Sequence, residues 1–79
     1  QESFAFMIAH QERIIETLKK AGKPMSLHEI VEILHSKYYQ VYEMAYQIHA
    51  TTHAQCQYLK AKGILKRVPS GGKLLWSIR

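Results

Sequence analysis

Apolar side chains recur at spacings of three and four through the first twenty positions. Phe4, Met7, Ile8, Ile14, Ile15, Leu18 and Ala21 fall on one line with Gln11 among them, the period of an amphipathic helix. Glu12 and Glu16 sit at helical spacing from Lys19 and Lys20 and give the stripe a solvated side. Two lysines in the last turn and Gly22 after them predict where this helix stops. Phe6 falls off the stripe; it is either a contact for another subunit or for a further part of the protein, or a partly exposed ring at a fraying end. Lys23-Pro24-Met25 predicts an extended link, with a short edge strand through Lys23 to Met25.

A second helix opens at Ser26. Glu29 lies three positions on, the spacing of a capping box. Leu27, Ile30, Val31, Leu34 and Tyr38 form its inward stripe, and a turn is expected over Tyr38–Tyr42. The third helix is the longest of the pattern, over about 42–62. Val41, Met44, Ala45, Ile48, Thr52, Gln55, Cys56 and Leu59 share one broad arc at about 100° per residue. The opposite arc carries Tyr46, Ala50, His53, Gln57 and Lys60, with His49 on its border. That outward face has no acid after Glu43. Lys60 and Lys62 precede Gly63, which is placed for a left-handed cap. A wing over 64–78 follows. Ile64–Val68 and Leu74–Ile78 predict two strands around a four-residue turn, Pro69-Ser70-Gly71-Gly72, with Ile64, Val68, Trp76 and Ile78 facing the helices. The fold class expected is α+β, mostly helical, in one domain over 1–79, with 1–9 as an N-terminal extension of the first helix.

Composition narrows what such a chain does. Its 79 residues hold eleven Lys and Arg against six Glu and no Asp, for a net charge of +5. That balance favours a polyanionic partner, nucleic acid before an anionic membrane surface. No apolar run is long enough to span a membrane. A single cysteine excludes a disulfide framework and suits a reducing, intracellular compartment. The start at Gln1 has no signal-peptide pattern and, lacking Met, is read as a piece of a longer protein.

The order helix, proline-containing link, helix, helix, glycine, hairpin resembles the winged helix-turn-helix DNA-binding superfamily, over roughly residues 10–79. The most specific stretch is Tyr58-Leu59-Lys60-Ala61-Lys62-Gly63-Ile64-Leu65-Lys66-Arg67, similar to a recognition helix entering its first wing strand. Gly22–Ile30 is similar to that family's entry into its second helix. The resemblance implies double-stranded DNA binding in transcription regulation or DNA processing, with the third helix in the major groove and the hairpin on the backbone or minor groove. Carried onto this sequence, the base-facing positions are Tyr46, His49, Ala50, His53 and Gln57. The phosphate-facing ones are Lys60, Lys62, Lys66, Arg67, Ser70, Gly71, Gly72 and Lys73. Two features depart from the family's pattern. The turn before the helix is long and rich in tyrosine, and the helix carries no arginine, the commonest reader of guanine.

Other chemistries are weighed on the same residues. Gln57 has the amide geometry for adenine, and the alternative is a solvated polar face. Thr51 and Thr52 are phosphate donors at a groove edge or, as preferred for Thr52, buried or bonded back to the helix. His49, His53 and Cys56 share a helix side at spacings zinc accepts, but a fourth ligand is missing and Cys56 sits at the edge of the apolar arc. All six acids are glutamates at solvated helix positions, and no phosphate loop follows a strand. No catalytic residue, metal or cofactor is expected, and the chain is not read as an enzyme. Two alternatives to duplex DNA stay open. One is a protein-interaction module or homodimer through Phe4 and Phe6, with Tyr39, Tyr42 and Tyr46 as further contact aromatics. The other is single-stranded DNA or RNA with tyrosines as stacking platforms.

Overall fold

The computed structural model describes residues 2–38 and 45–79, without the side chains of residues 2–4, 45 and 46. Among these residues the chain forms α1 (Glu2–Ala21), α2 (Leu27–Lys37), α3 (Ala45–Ala61), β1 (Leu65–Ser70) and β2 (Lys73–Ile78). This is the α+β layout expected, helices first and a C-terminal antiparallel hairpin last, arranged as in a winged helix. The expected turn over Tyr38–Tyr42 lies, past Tyr38, outside the described residues, as does the start of the third helix before Ala45.

The core forms where the three helices and the hairpin meet. Ile14 and Leu18 come from α1, Ile30, Val31 and Leu34 from α2, and Ile48, Cys56 and Leu59 from α3; Met25, Leu65 and Trp76 complete it. Several of these side chains are fully excluded from water, each worth roughly 1.5–3 kcal/mol of transfer free energy.

In α1 the buried face is rotated from the apolar stripe of the sequence. His10, Ile14, Thr17 and Leu18 are buried, while Met7 and Ile8 are exposed. Phe6, off the predicted stripe, packs against the core, and its ring stacks on His10 at 5.4 Å between centroids. The reason is polar. His10 Nε2 meets Thr52 Oγ1 of α3 at 2.9 Å, and the Gln11 amide donates to Gln55 Oε1. A hydrogen-bonded seam between α1 and α3 therefore sets the rotation, because a buried polar group is tolerated only when partnered. Thr52 is buried as expected, but its hydroxyl meets α1 rather than its own helix.

Ser26 caps α2 as its sequence predicts. Its side chain accepts from the Glu29 N–H at 3.1 Å, and Glu29 Oε1 accepts from the Ser26 N–H at 2.9 Å. At the other end Tyr38 lies beneath the Arg13 guanidinium at 4.4 Å and donates to Glu16, tying α2 to α1.

The junction from α3 to β1 corrects the predicted strand phase. Ile64 N–H donates to Leu59 O at 2.9 Å and Gly63 N–H to Lys60 O at 3.0 Å, with Gly63 at φ +81°. This paired capping pattern is the Schellman motif. It uses Ile64 as part of the helix stop, so β1 starts at Leu65. A one-residue change of phase exchanges the two faces of a strand. Leu65 is fully buried and Ile64 is exposed, the reverse of the expectation for Ile64. Directly paired residues share a face, so Leu65 and Arg67 lie on the side of Ile78 and Trp76, and Val68 lies on the other side with Leu75.

The hairpin tip is also shorter than predicted. Ser70 pairs with Lys73, leaving Gly71 and Gly72 as a two-residue turn with φ of +55° and +83°. Two positive-φ positions in succession suit glycines, and this turn matches the twist of the strands. Pro69 belongs to β1. With Ser70 and Lys73 as the hydrogen-bonded pair closing the turn, the position of its missing N–H faces away from β2, where proline is tolerated. The same alternation turns the Trp76 main chain outward. It exchanges two hydrogen bonds with Met25, at 2.8 and 2.7 Å, and this isolated bridge at Met25 stands where an edge strand through Lys23 to Met25 is expected. The bridge fixes the wing against the link between α1 and α2.

Candidate nucleic-acid interface

The inward side of α3 is committed to the core, and the opposite side is open. His49, Ala50, His53, Ala54, Gln57 and Lys60 are all exposed. The reason is periodic. Ile48, Thr52, Gln55, Cys56 and Leu59 fill the inner arc, so residues half a turn away meet solvent. Tyr46 belongs to this helix, but its side chain lies outside the described residues. His53 and Gln57, one turn apart, approach at 3.4 Å between ring nitrogen and amide nitrogen, a long hydrogen bond that leaves much of the Gln57 amide for another partner. No acidic side chain occupies α3 from Ala45 to Ala61.

The predicted phosphate-facing residues separate into three places. Lys60, Lys66 and Arg67 line one cleft of about 490 Å³ between the end of α3 and β1, together with Gln57, Ala61, Leu65 and Arg79. Ser70, Gly71 and Lys73 line a second cleft, at the hairpin tip, with Ser26, His28 and Glu29 of the α2 entry. Lys62 stands apart, with its ammonium 5.7 Å from the Tyr58 ring. Gly72 forms the tip itself, exposed beside Gly71.

The first two clefts differ in charge. The α3–β1 cleft contains four cationic side chains and no aspartate or glutamate. The tip cleft contains Glu29, whose carboxyl is held below its usual range, chiefly by the Ser26 backbone N–H and further by the positive charges of Lys23 and Lys73. Lys73 is therefore balanced by an acid in a way Lys60 and Lys66 are not.

Arg67 is not the free cation the sequence suggested. Its guanidinium lies 4.0 Å over the ring of Trp76, and Nη2 donates to Leu74 O at 2.8 Å. The strand phase explains this, since Arg67 is directly paired with Trp76 and shares its face. Arg79 was missed. Its N–H donates to Ile64 O at 3.0 Å, which continues the hairpin ladder one step and places Arg79 beside the start of β1. A two-residue turn would have put Arg79 opposite Ile64 on sequence alone; a four-residue turn does not.

Cys56 is fully buried, and burial pushes its thiol up to about 12 despite the opposing charge of Arg67. It points into the core while His49 and His53 are exposed. Among the described residues no three His, Cys, Asp or Glu side chains are grouped to hold a metal ion. No helix among them is long and apolar enough to cross a membrane.

Comparison of the chain with protein-family models, with curated proteins and with solved structures finds no match.

Proposed function

We propose that the chain is a winged-helix module that binds double-stranded DNA, with the outward face of α3 directed at the major groove and the hairpin at the backbone beside it. One observation carries the reading: the acid-free face of α3 runs without interruption, through Gln57 and Lys60, into the cleft lined by Lys66, Arg67 and Arg79. A helix fits the major groove, and cations at its end reach the flanking phosphates. The face itself offers imidazoles, one amide and two small alanines, so base preference is modest and backbone charge dominates the affinity. A transcriptional or DNA-processing role is the setting that suits such a module.

The test is binding to a short random-sequence duplex across a salt series. Four phosphate contacts give a slope of log affinity on log salt of roughly −3.6, from about −0.9 per contact. Absence of binding near about 50 mM salt, or binding indifferent to salt, sinks the proposal. Tighter binding to the matching single strand at equal salt favours single-strand recognition, with exposed Tyr58 as a stacking surface.

A second reading rests on Met7 and Ile8, 38% and 43% exposed at adjacent positions of the α1 stripe. These apolar side chains favour a protein contact on α1. That contact and DNA binding through α3 use different helices and are compatible. Phe6, by contrast, is engaged within its own chain, and Phe4, Tyr39, Tyr42 and Tyr46 lie outside the described side chains.

A further inference from the structure

The cleft between α3 and β1 brings Lys60, Lys66, Arg67 and Arg79 to one depression with Gln57 at its edge. Four cationic side chains with no acidic side chain among them repel one another, and an anion seated between them relieves that repulsion. The end of a helix ordinarily disfavours an anion, because its last carbonyls carry partial negative charge. Here three of those carbonyls are already acceptors: Tyr58 O from the Lys62 N–H, Leu59 O from Ile64 and Lys60 O from Gly63. The capping motif thus blunts the repulsion at the cleft's own border.

Arg67 is ordered before any ligand arrives. The buried Trp76 ring supports one face of its guanidinium, and the Leu74 carbonyl fixes one Nη. Its Nε is shielded from water and has no hydrogen-bond partner among the described residues. A guanidinium has five N–H donors in a planar fork, and a fork held in place loses little freedom on meeting a phosphate. Arg79 is pinned by its main chain to Ile64 while its side chain stays exposed at the cleft. Lys60 and Lys66 contribute flexible point charges on either side.

We propose that this cleft seats consecutive backbone phosphodiesters of the bound nucleic acid, with Arg67 as a preset guanidinium on one and Lys60, Lys66 and Arg79 on its neighbours along the strand. The inference rests on the duplex-binding reading above and deepens it. It places the main phosphate anchor at the root of the wing, out of the whole stretch from Lys60 to Lys73, and it assigns Arg79 a binding role. A phosphodiester suits the cleft better than a compact free anion, because the depression is open and continues onto the α3 face through Gln57.

Fluorescence anisotropy with a short random-sequence duplex over a salt series tests this on the whole chain and on Arg79→Gln, Lys60→Gln and Lys19→Gln. Lys19 is an exposed α1 cation and serves as the charge-matched reference. Arg79→Gln and Lys60→Gln are each expected to flatten the salt slope by about 0.9 and to weaken binding several-fold, with Lys19→Gln close to the parent. The Arg67 Nε–H resonance is expected to move on adding duplex to the parent chain. If the parent keeps its salt slope while Arg79→Gln and Lys60→Gln match Lys19→Gln, the seat is overturned and the duplex reading stands. If the parent does not bind duplex, both fall. Salt-sensitive binding to anionic phospholipid vesicles with none to duplex assigns the cleft to a lipid phosphate and overturns nucleic acid as its occupant.

Discussion

Protonation of His10 is expected to loosen the attachment of α3 to α1. The ring is fully buried, stacked on Phe6 and hydrogen-bonded to Thr52 at 2.9 Å. Burial, with a smaller contribution from the nearby Arg13 charge, lowers its pKa from 6.5 to about 4. Between those values the unfolded chain takes up a proton that the folded chain refuses. Stability is therefore unaffected above about pH 6.5 and is lost as pH falls towards about 4. The shift of about 2.5 units corresponds to a ceiling of about 3 kcal/mol, of which about 2 kcal/mol is lost by pH 5. A domain of this size has of order 4–12 kcal/mol in total, so the loss is a large share. Urea unfolding followed by the fluorescence of Trp76 at about pH 7.5 and pH 5 measures it. Glu16 and Glu29 have lowered pKa values, so their contributions are lost only as pH falls below about 4.5, beneath the pH 5 arm of this comparison. His10→Gln removes the titrating ring, and the remaining histidines are common to both chains and cancel in the comparison. The expected result is a lower midpoint at pH 5 in the parent chain and a much smaller drop in the variant. An equal drop in both, or none in the parent, refutes the reasoning.

Other outcomes follow from the same geometry. Ser26→Ala removes one arm of the capping box and is expected to cost about 1 kcal/mol in chemical denaturation, with the fold retained. Gly71→Ala meets no atom within 4 Å, so its cost comes from the positive φ alone and is expected at about 1–2 kcal/mol, less for Gly71→Asn. Cys56 is expected to resist iodoacetamide in the native chain and to react promptly in urea, as read by mass spectrometry, because its thiol is buried and pushed up to about 12; rapid native alkylation would contradict its place in the core.

The sequence disclosed this fold wherever one strong local rule acted alone. Ser26 and Glu29 announced the start of α2, Gly63 announced the end of α3, and Pro24 announced the extended link that pairs through Met25. It misled where two rules competed. Ile64 looks like a strand residue, yet the cap at Gly63 claims its N–H, and the phase of β1 shifts by one. That shift carries Arg67 from the solvent onto Trp76. In α1 the apolar period pointed to Met7 and Ile8, while the buried bonds of His10 and Gln11 to α3 rotated the helix away from them. Such a polar seam depends on residues more than forty positions apart, and no local period encodes it. The candidate interface was legible as a charge cluster but not as a shape. Division of the lysines between an acid-free cleft and one containing Glu29 needs the hairpin placed against both α2 and α3.

Backbone amide mapping by NMR addresses the central proposal most directly. Short duplex DNA is added to the nitrogen-15-labelled chain at low salt, and shifts are followed residue by residue. The account predicts the largest perturbations along His49–Lys60 of α3, at Lys66 and Arg67, and at Arg79, all reversed by added salt. Perturbations concentrated on Met7 and Ile8 of α1, or none at all, would contradict it.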